Sequence, residues 1–320
     1  MGFIVGDAIN FAFTGWMKSR QALKYFVVAL ILFIILNVAL GAVAGSLFGS
    51  LSNASSMSPG EALGLVGYFF LYITVFVVLY WLISGFIIYF MLGSALKEIK
   101  RKPVEFSAGR YARFLGLMIA NCLAVLLSLF KLKFLWVLIS GIILAIVGIV
   151  LVAVGASFGS NVIALILGFL LLGISVILFL CYAVIMIYNS MRLILAEMLF
   201  VEKEQGIWKS LNASWNITGG NALNIFVVLF VVTVVVMILS LILSAPSMIY
   251  QFSVLGITGG SGALTLMSDP MYIGLSALTN IVQAFAVMVQ AFALAGIYAQ
   301  LNKGRGAVKK VVKKAASRKK

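Results

Sequence analysis

The sequence predicts an all-α fold, a polytopic bundle of transmembrane helices. Three observations predict it. Of 320 residues, 64% are hydrophobic and 10% are charged, whereas a soluble domain is about 45–50% apolar. The apolar residues come in unbroken runs of about 20 or more, the length a helix needs to cross a hydrocarbon core of about 30 Å. Strands of a membrane barrel would instead alternate apolar and polar over roughly ten residues. Finally, the charges gather between the runs, with Arg113 at the start of 112–130 the one exception.

The apolar runs cover residues 25–46, 67–93, 112–130, 134–157, 162–190, 222–245 and 273–300. They make 1–302 a transmembrane helical domain, with a basic tail at 303–320. The first run ends in Ala42-Val43-Ala44, which resembles a signal-peptide cleavage site. It is longer than a usual h-region and is read as a retained span.

Lys18, Arg20 and Lys24 precede the first run, and Lys97, Lys100, Arg101, Lys102, Arg110 and Arg113 follow the second. Arg192, Lys203 and Lys209 follow the fifth, and the tail after 302 holds nine basic residues and no acid. By contrast, 47–66 and 246–272 carry one acid each, Glu61 and Asp269, and 155–161 carries no charge. Lys/Arg-rich loops stay in the cytoplasm, so both termini are expected inside a cell membrane. That pattern allows six crossings for seven runs. Run 112–130, followed at once by Lys131 and Lys133, is the one expected to re-enter or lie at the inner interface. The alternative is one long bent helix that continues into the next run.

Two further stretches have helical amphipathicity. Residues 3–17 place Ile4, Ala8, Phe11, Ala12 and Trp16 on one face. Residues 206–217 place Ile207, Trp208, Leu211 and Trp215 on one face and Lys209, Asn212 and Asn216 on the other. Gly219-Gly220 can stop that helix and Asn221 can cap the next. The tail alternates valine and lysine faces, and near an anionic inner leaflet each Lys or Arg adds about 1 kcal/mol. Membrane lipids are therefore the expected partners, and nucleic acid or a ribosome ranks last. An internal echo joins 22–28, ALKYFVV, to 222–228, ALNIFVV, at an offset of 200. It predicts a parallel pseudo-repeat in which the first and last helical hairpins superpose.

The chemistry-bearing residues are few. There is no histidine, which removes the commonest general base and a common metal ligand. Cys122 and Cys181 lie inside apolar runs and read as packed or lipid-facing thiols. No catalytic residue, cofactor or metal site is expected. Arg192, Glu197, Glu202, Trp208 and Trp215 are the candidates for an anchor or a lipid-headgroup contact. Arg192 is expected to sit at the inner boundary, paired with Glu197 or Glu202, because a guanidinium at mid-depth costs about 2.5–3.5 kcal/mol on insertion scales. Gly41, Gly45 and Gly49 form GxxxGxxxG, which permits close helix contact within the chain or in a homo- or hetero-oligomer. Asn121, Gln283 and Gln290, with Asn37, Ser276 and Asn280, are amides and a hydroxyl that either tie helices together or line a cavity.

The block RLILAEMLFVEKEQGIWKSLNASWNITGGNALNIF, 192–226, closes a span with Arg, passes a Glu and a Gly, and ends an amphipathic helix in Ser-x-x-x-Thr-x-Gly. It resembles the membrane domain attached to some glycerophosphoryl diester phosphodiesterases, and related uncharacterised prokaryotic membrane-protein families. The matching residues are Arg192, Glu202, Gly206, Ser214, Thr218 and Gly220. The resemblance implies a helical membrane bundle. It does not imply the hydrolase activity, because the catalytic domain is absent from this chain.

Two functions follow. The first is a non-catalytic membrane scaffold or accessory protein. The alternative is a transporter or lipid-handling permease for a neutral or lipidic substrate. A polar cavity lined by Gln283, Gln290 or Asn121 favours the alternative, whereas amides bonded inside a tight core favour the scaffold.

Overall fold

The computed structural model describes residues 3–51, 58–100, 107–129, 132–157, 161–203, 205–258 and 269–317. Every described element is helical. In chain order they are α1 (Val5–Thr14), α2 (Arg20–Leu51), α3 (Pro59–Lys100), α4 (Ala108–Leu129), α5 (Leu132–Ser157), α6 (Val162–Leu193), α7 (Ala196–Lys203), α8 (Ile207–Thr218), α9 (Ala222–Thr258) and α10 (Pro270–Ser317). A short 3₁₀ turn, Trp16–Lys18, joins α1 to α2. Among the described residues, seven helices are long and apolar enough to cross a membrane. They coincide with the seven apolar runs.

Local chemistry sets where helices start. Oxygen side chains accept from the first-turn amides that a helix leaves unpaired. Ser19 accepts from Ala22, Ser107 from Arg110 and Asn161 from Ala164. Asp269 takes the Met271 amide at 2.7 Å and the Tyr250 hydroxyl at 2.7 Å, tying the end of α9 to the start of α10. The Tyr250 bond and the backbone amides hold the Asp269 carboxyl below the usual carboxylate range.

The helices group into two compact units, residues 1–115, 200–204 and 224–320 in one and 116–199 with 205–223 in the other. In the first unit α10 is the hub. Of its apolar stretch 67% is buried inside the protein, against 28% at most for the other candidate spans. A helix surrounded by protein can carry amides, whereas a lipid-facing one must be apolar all round. This explains why Ser276 and Asn280 fall on α10. Helices α1, α2 and α3 all pack against it. Phe11 meets Phe292 and Trp16 meets Phe285, so α1 runs antiparallel to α10. Ala8 and Ala12 are fully buried, and a Cβ on Gly296 would lie 3.0 Å from the Ala8 carbonyl oxygen. Ile4 is exposed and leaves the predicted stripe. Tyr25–Phe90, Phe33–Tyr80 and the Tyr72 bond to the Leu40 carbonyl make α2 and α3 an antiparallel hairpin. Helices α3 and α10 run parallel, and Lys100 reaches Tyr298. That pairing is close to the offset of the sequence echo, so the second helices of the two hairpins meet at matching heights.

In the second unit α5 and α6 form a tight antiparallel hairpin. Its contact is built on glycine: a Cβ on Gly168 would lie 2.7 Å from Val152 Cγ2 and 2.9 Å from the Gly148 carbonyl oxygen. The Ser175 hydroxyl donates to the Gly141 carbonyl at 2.9 Å. Elsewhere the pair is exposed, as Ile146, Ile163, Phe169 and Leu180 illustrate, and such a surface belongs in lipid. Both cysteines are likewise exposed. Gly168→Val is expected to cost about 1–3 kcal/mol through overpacking. Gly173→Val, where a Cβ meets nothing within 4 Å, is the control. Denaturant unfolding of both variants in micelles checks this, and equal midpoints would refute the close contact.

Helices α4 and α5 run the same way. Asn121 reaches Glu197 and Ser128 accepts from Asn189 at 2.9 Å, which sets α4 antiparallel to the end of α6 and to α7. Gly141–Ser175 and Gly155–Leu165 then set α5 antiparallel to the rest of α6. The register is continuous from α4 into α5, with no reversal between them. Runs 112–130 and 134–157 thus share one direction, as the alternative of an element continuing from one run into the next requires, and α4 pairs with the extension that α7 adds to α6. Lys131 and the Lys133 side chain lie outside the described residues.

Candidate functional site

Helices α2, α3 and α10 diverge around a cleft of about 220 Å³. Its polar wall is Asn37, Asn280 and Gln283, and its aromatic wall is Phe33, Phe76 and Tyr80. The rings stack along the hairpin, Phe33 to Tyr80 at 6.0 Å and Phe76 to Tyr80 at 6.4 Å. Asn37 donates to the Ser276 hydroxyl at 3.5 Å, a long bond across α2 and α10. Asn280 is 2% exposed and its side-chain nitrogen has no hydrogen-bond partner. A buried donor without an acceptor costs about 1–3 kcal/mol. Gln283 and Tyr80 are exposed, so the cleft reaches the protein surface. A second cavity of about 200 Å³, between α2, α9 and α10, is lined by Phe26, Leu239, Leu243, Ile281, Val282 and Phe285. Its described lining residues offer no polar side chain.

At the basic end of the same unit, Glu202 is held between Lys100 and Tyr298. The Lys100 ammonium pairs with one carboxylate oxygen and the Tyr298 hydroxyl donates to the other. Lys100 also lies 5.4 Å from the Tyr298 ring centroid. The Glu202 side chain is 9% exposed and that of Lys100 40%. This cluster ties the ends of α3 and α7 to α10 at Tyr298.

Arg192 serves a different purpose. The helix breaks at Ile194 and Leu195, freeing the Arg192 carbonyl and the Leu195 amide. Helix α8 satisfies both. The Ser214 hydroxyl accepts from the Leu195 amide at 3.2 Å and donates to the Arg192 carbonyl at 3.0 Å. The Thr218 hydroxyl donates to the same carbonyl at 2.9 Å. In return, the Arg192 guanidinium donates to the Trp215 carbonyl from Nε at 3.2 Å and from Nη2 at 2.7 Å. It lies 4.2 Å from the Trp215 ring centroid and donates to the Tyr188 hydroxyl at 3.0 Å. A cation at the last carbonyls of α8 also opposes the negative end of its dipole. Gly220 takes φ +80°, which turns the chain into α9.

The sequence-predicted residues separate accordingly. Arg192 does not pair with Glu197 or Glu202; it binds a helix end. Glu202 is occupied by Lys100 and Tyr298. Glu197 is only partly exposed and is engaged by Asn121, whose side-chain oxygen has no partner. Trp208 and Trp215 do not share a packed face. The buried face of α8 is Ser210, Leu211, Ser214, Ile217 and Thr218, while Trp208 is 74% exposed. Gln283 borders the cleft, but Gln290 is exposed and takes no part in it. Gly41 is half-buried, and the surroundings of Gly45 and Gly49 lie outside the described residues, as do those of the basic tail. Sequence reasoning missed Lys100 and Tyr298 as partners of Glu202, and no local signal marks that pairing. It also missed the glycine contact of the α5–α6 hairpin, although Gly141, Gly148 and Gly155 recur every seven residues.

No family model, curated protein or solved structure matches the chain.

Proposed function

We propose that this multi-pass membrane protein handles a neutral or lipidic substrate without catalysing its conversion, holding it in the cleft between α2, α3 and α10. The observation that carries the reading is Asn280: a buried amide donor with no partner, on the wall of a cleft shared with Asn37 and Gln283. A scaffold with no ligand has no use for such a donor, and its cost falls away once an acceptor arrives. The reading requires no cofactor or metal. It places both termini in the cytoplasm, six crossings in the membrane and the basic tail against an anionic inner leaflet. The shared direction of α4 and α5 supports the even count, because successive segments that do not reverse cannot both cross one bilayer.

The scaffold reading keeps one specific support. Arg192 and Glu202 are both spent on ties between helices, as in a protein whose task is to hold a shape.

Filling the cleft separates the two. Leu40 lines it, and Leu40→Trp is expected to occupy it. Native mass spectrometry of the intact protein, released from its own membrane, should show a lipid-sized adduct on the wild type and none on Leu40→Trp. The same adducts on both proteins would refute the cleft as a binding site.

A further inference from the structure

We infer that the cleft takes the uncharged, oxygen-bearing head of a neutral lipid, a glyceride or a long-chain alcohol, while the lipid's chains stay in the bilayer. This rests on the reading that the cleft holds a lipidic substrate, and it narrows the substrate class.

The donor inventory comes first. Asn280 presents a buried side-chain N–H group with no acceptor. What completes it is an acceptor oxygen, such as a hydroxyl, an ester carbonyl or an ether. Asn37 and Gln283 stand beside it and can both donate and accept. A hydroxyl, which also does both, fits three amides better than a group that only donates.

Charge excludes the commoner lipids. Among the described residues, no Lys, Arg, Asp or Glu lines the cleft. An ion brought there would lose its hydration and meet no opposite charge, which is costly in an apolar site. The chain is not short of cations, with a formal net charge of +15, but they are placed elsewhere. Lys97 and Lys100 end α3, and Arg20 and Lys24 begin α2. At 1.5 Å per residue, Asn37 lies about 25 Å along α2 from Arg20, and Tyr80 about 30 Å along α3 from Lys100. The cleft therefore sits toward the membrane face opposite those basic ends, near the depth of the lipid glycerol and ester groups.

Size limits the rest. Pockets that enclose a whole drug-sized ligand measure about 300–1,000 Å³, and this one is about 220 Å³. It admits a head and no acyl chain. Gln283 and the 39%-exposed Tyr80 mark the edge over which the chains would leave.

The test uses the full-length protein in phosphatidylcholine vesicles. The vesicles are doped with photoactivatable diacylglycerol, photoactivatable oleyl alcohol or photoactivatable phosphatidylglycerol, and labelled peptides are mapped by mass spectrometry. The neutral probes should label the α2, α3 and α10 segments around the cleft, and the anionic probe should not. Asn280→Leu keeps the volume and removes the donor, so neutral labelling there should fall about fivefold, the worth of one hydrogen bond. Gln290→Leu, on the same helix but outside the cleft, should label like wild type. If Asn280→Leu fails to fold by melting or gel filtration, Gln283→Leu is read in its place. Equal labelling by phosphatidylglycerol, still lowered by Asn280→Leu, would overturn the neutral class and leave a lipid site. Absence of cleft labelling by any probe would overturn both.

Discussion

The Arg192→Met variant is expected to be destabilised by about 3 kcal/mol. A hydrogen bond to a charged group is worth about 1.5–3 kcal/mol, and a guanidinium over an indole adds about 0.5–2 kcal/mol. The substitution removes both from Trp215. It also leaves the last carbonyls of α8 short of a donor. Arg192→Lys keeps the charge but loses the two-pronged geometry, and should recover about half of the difference. Reversible unfolding in mixed micelles, followed by tryptophan fluorescence, measures both. A wild-type midpoint for Arg192→Met would remove the tie as a stability element. It would revive the alternative that Arg192 is kept for a lipid headgroup.

The second large effect concerns Lys100 and Glu202, and it is asymmetric. Lys100→Met strands the Glu202 carboxylate, which is 9% exposed, with only the Tyr298 hydroxyl to satisfy it. Removing one partner of a buried pair costs about 3–5 kcal/mol. Lys100 is 40% exposed, and water reaches that end, so about 2–3 kcal/mol is expected here. Glu202→Leu is milder, because the Lys100 side chain is 40% exposed and water reaches its ammonium. The double variant Lys100→Met, Glu202→Leu should lie near wild type, giving a coupling of about 2 kcal/mol in the cycle. Additive single effects would mean that the two residues do not depend on each other.

How far the sequence spoke differs from residue to residue. Each apolar run became a helix because nothing else satisfies a backbone in hydrocarbon, and residues 206–217 became α8 because a glycine stands at each end of the pattern. The motif that carries the family resemblance proved to be physical: Ser214 and Thr218 close a break that Arg192 begins. What could not be read is the break itself. Residues 192–198, RLILAEM, hold neither glycine nor proline, so nothing local announces an interrupted helix. Arg192 consequently looked like half of an ion pair when it caps a helix end. The amides show a related limit. Periodicity put Gln283 and Gln290 on one side of α10, but only the spread of α2 and α3 decides which of them borders a cleft. Asn280, on the edge of that stripe, is the amide whose nitrogen is buried without a partner.

The hub of the first unit comes after its partners in the chain. Helices α1, α2 and α3 reach the membrane with the faces that will touch α10 uncovered, including Ala8, Ala12 and the Asn37 amide. They stay so until residues 270–302 have been made. Assembly of this half therefore waits on synthesis. For most of translation the Asn37 amide faces lipid or a helper protein, and a ribosome stalled before residue 270 would leave a product that inserts but cannot close.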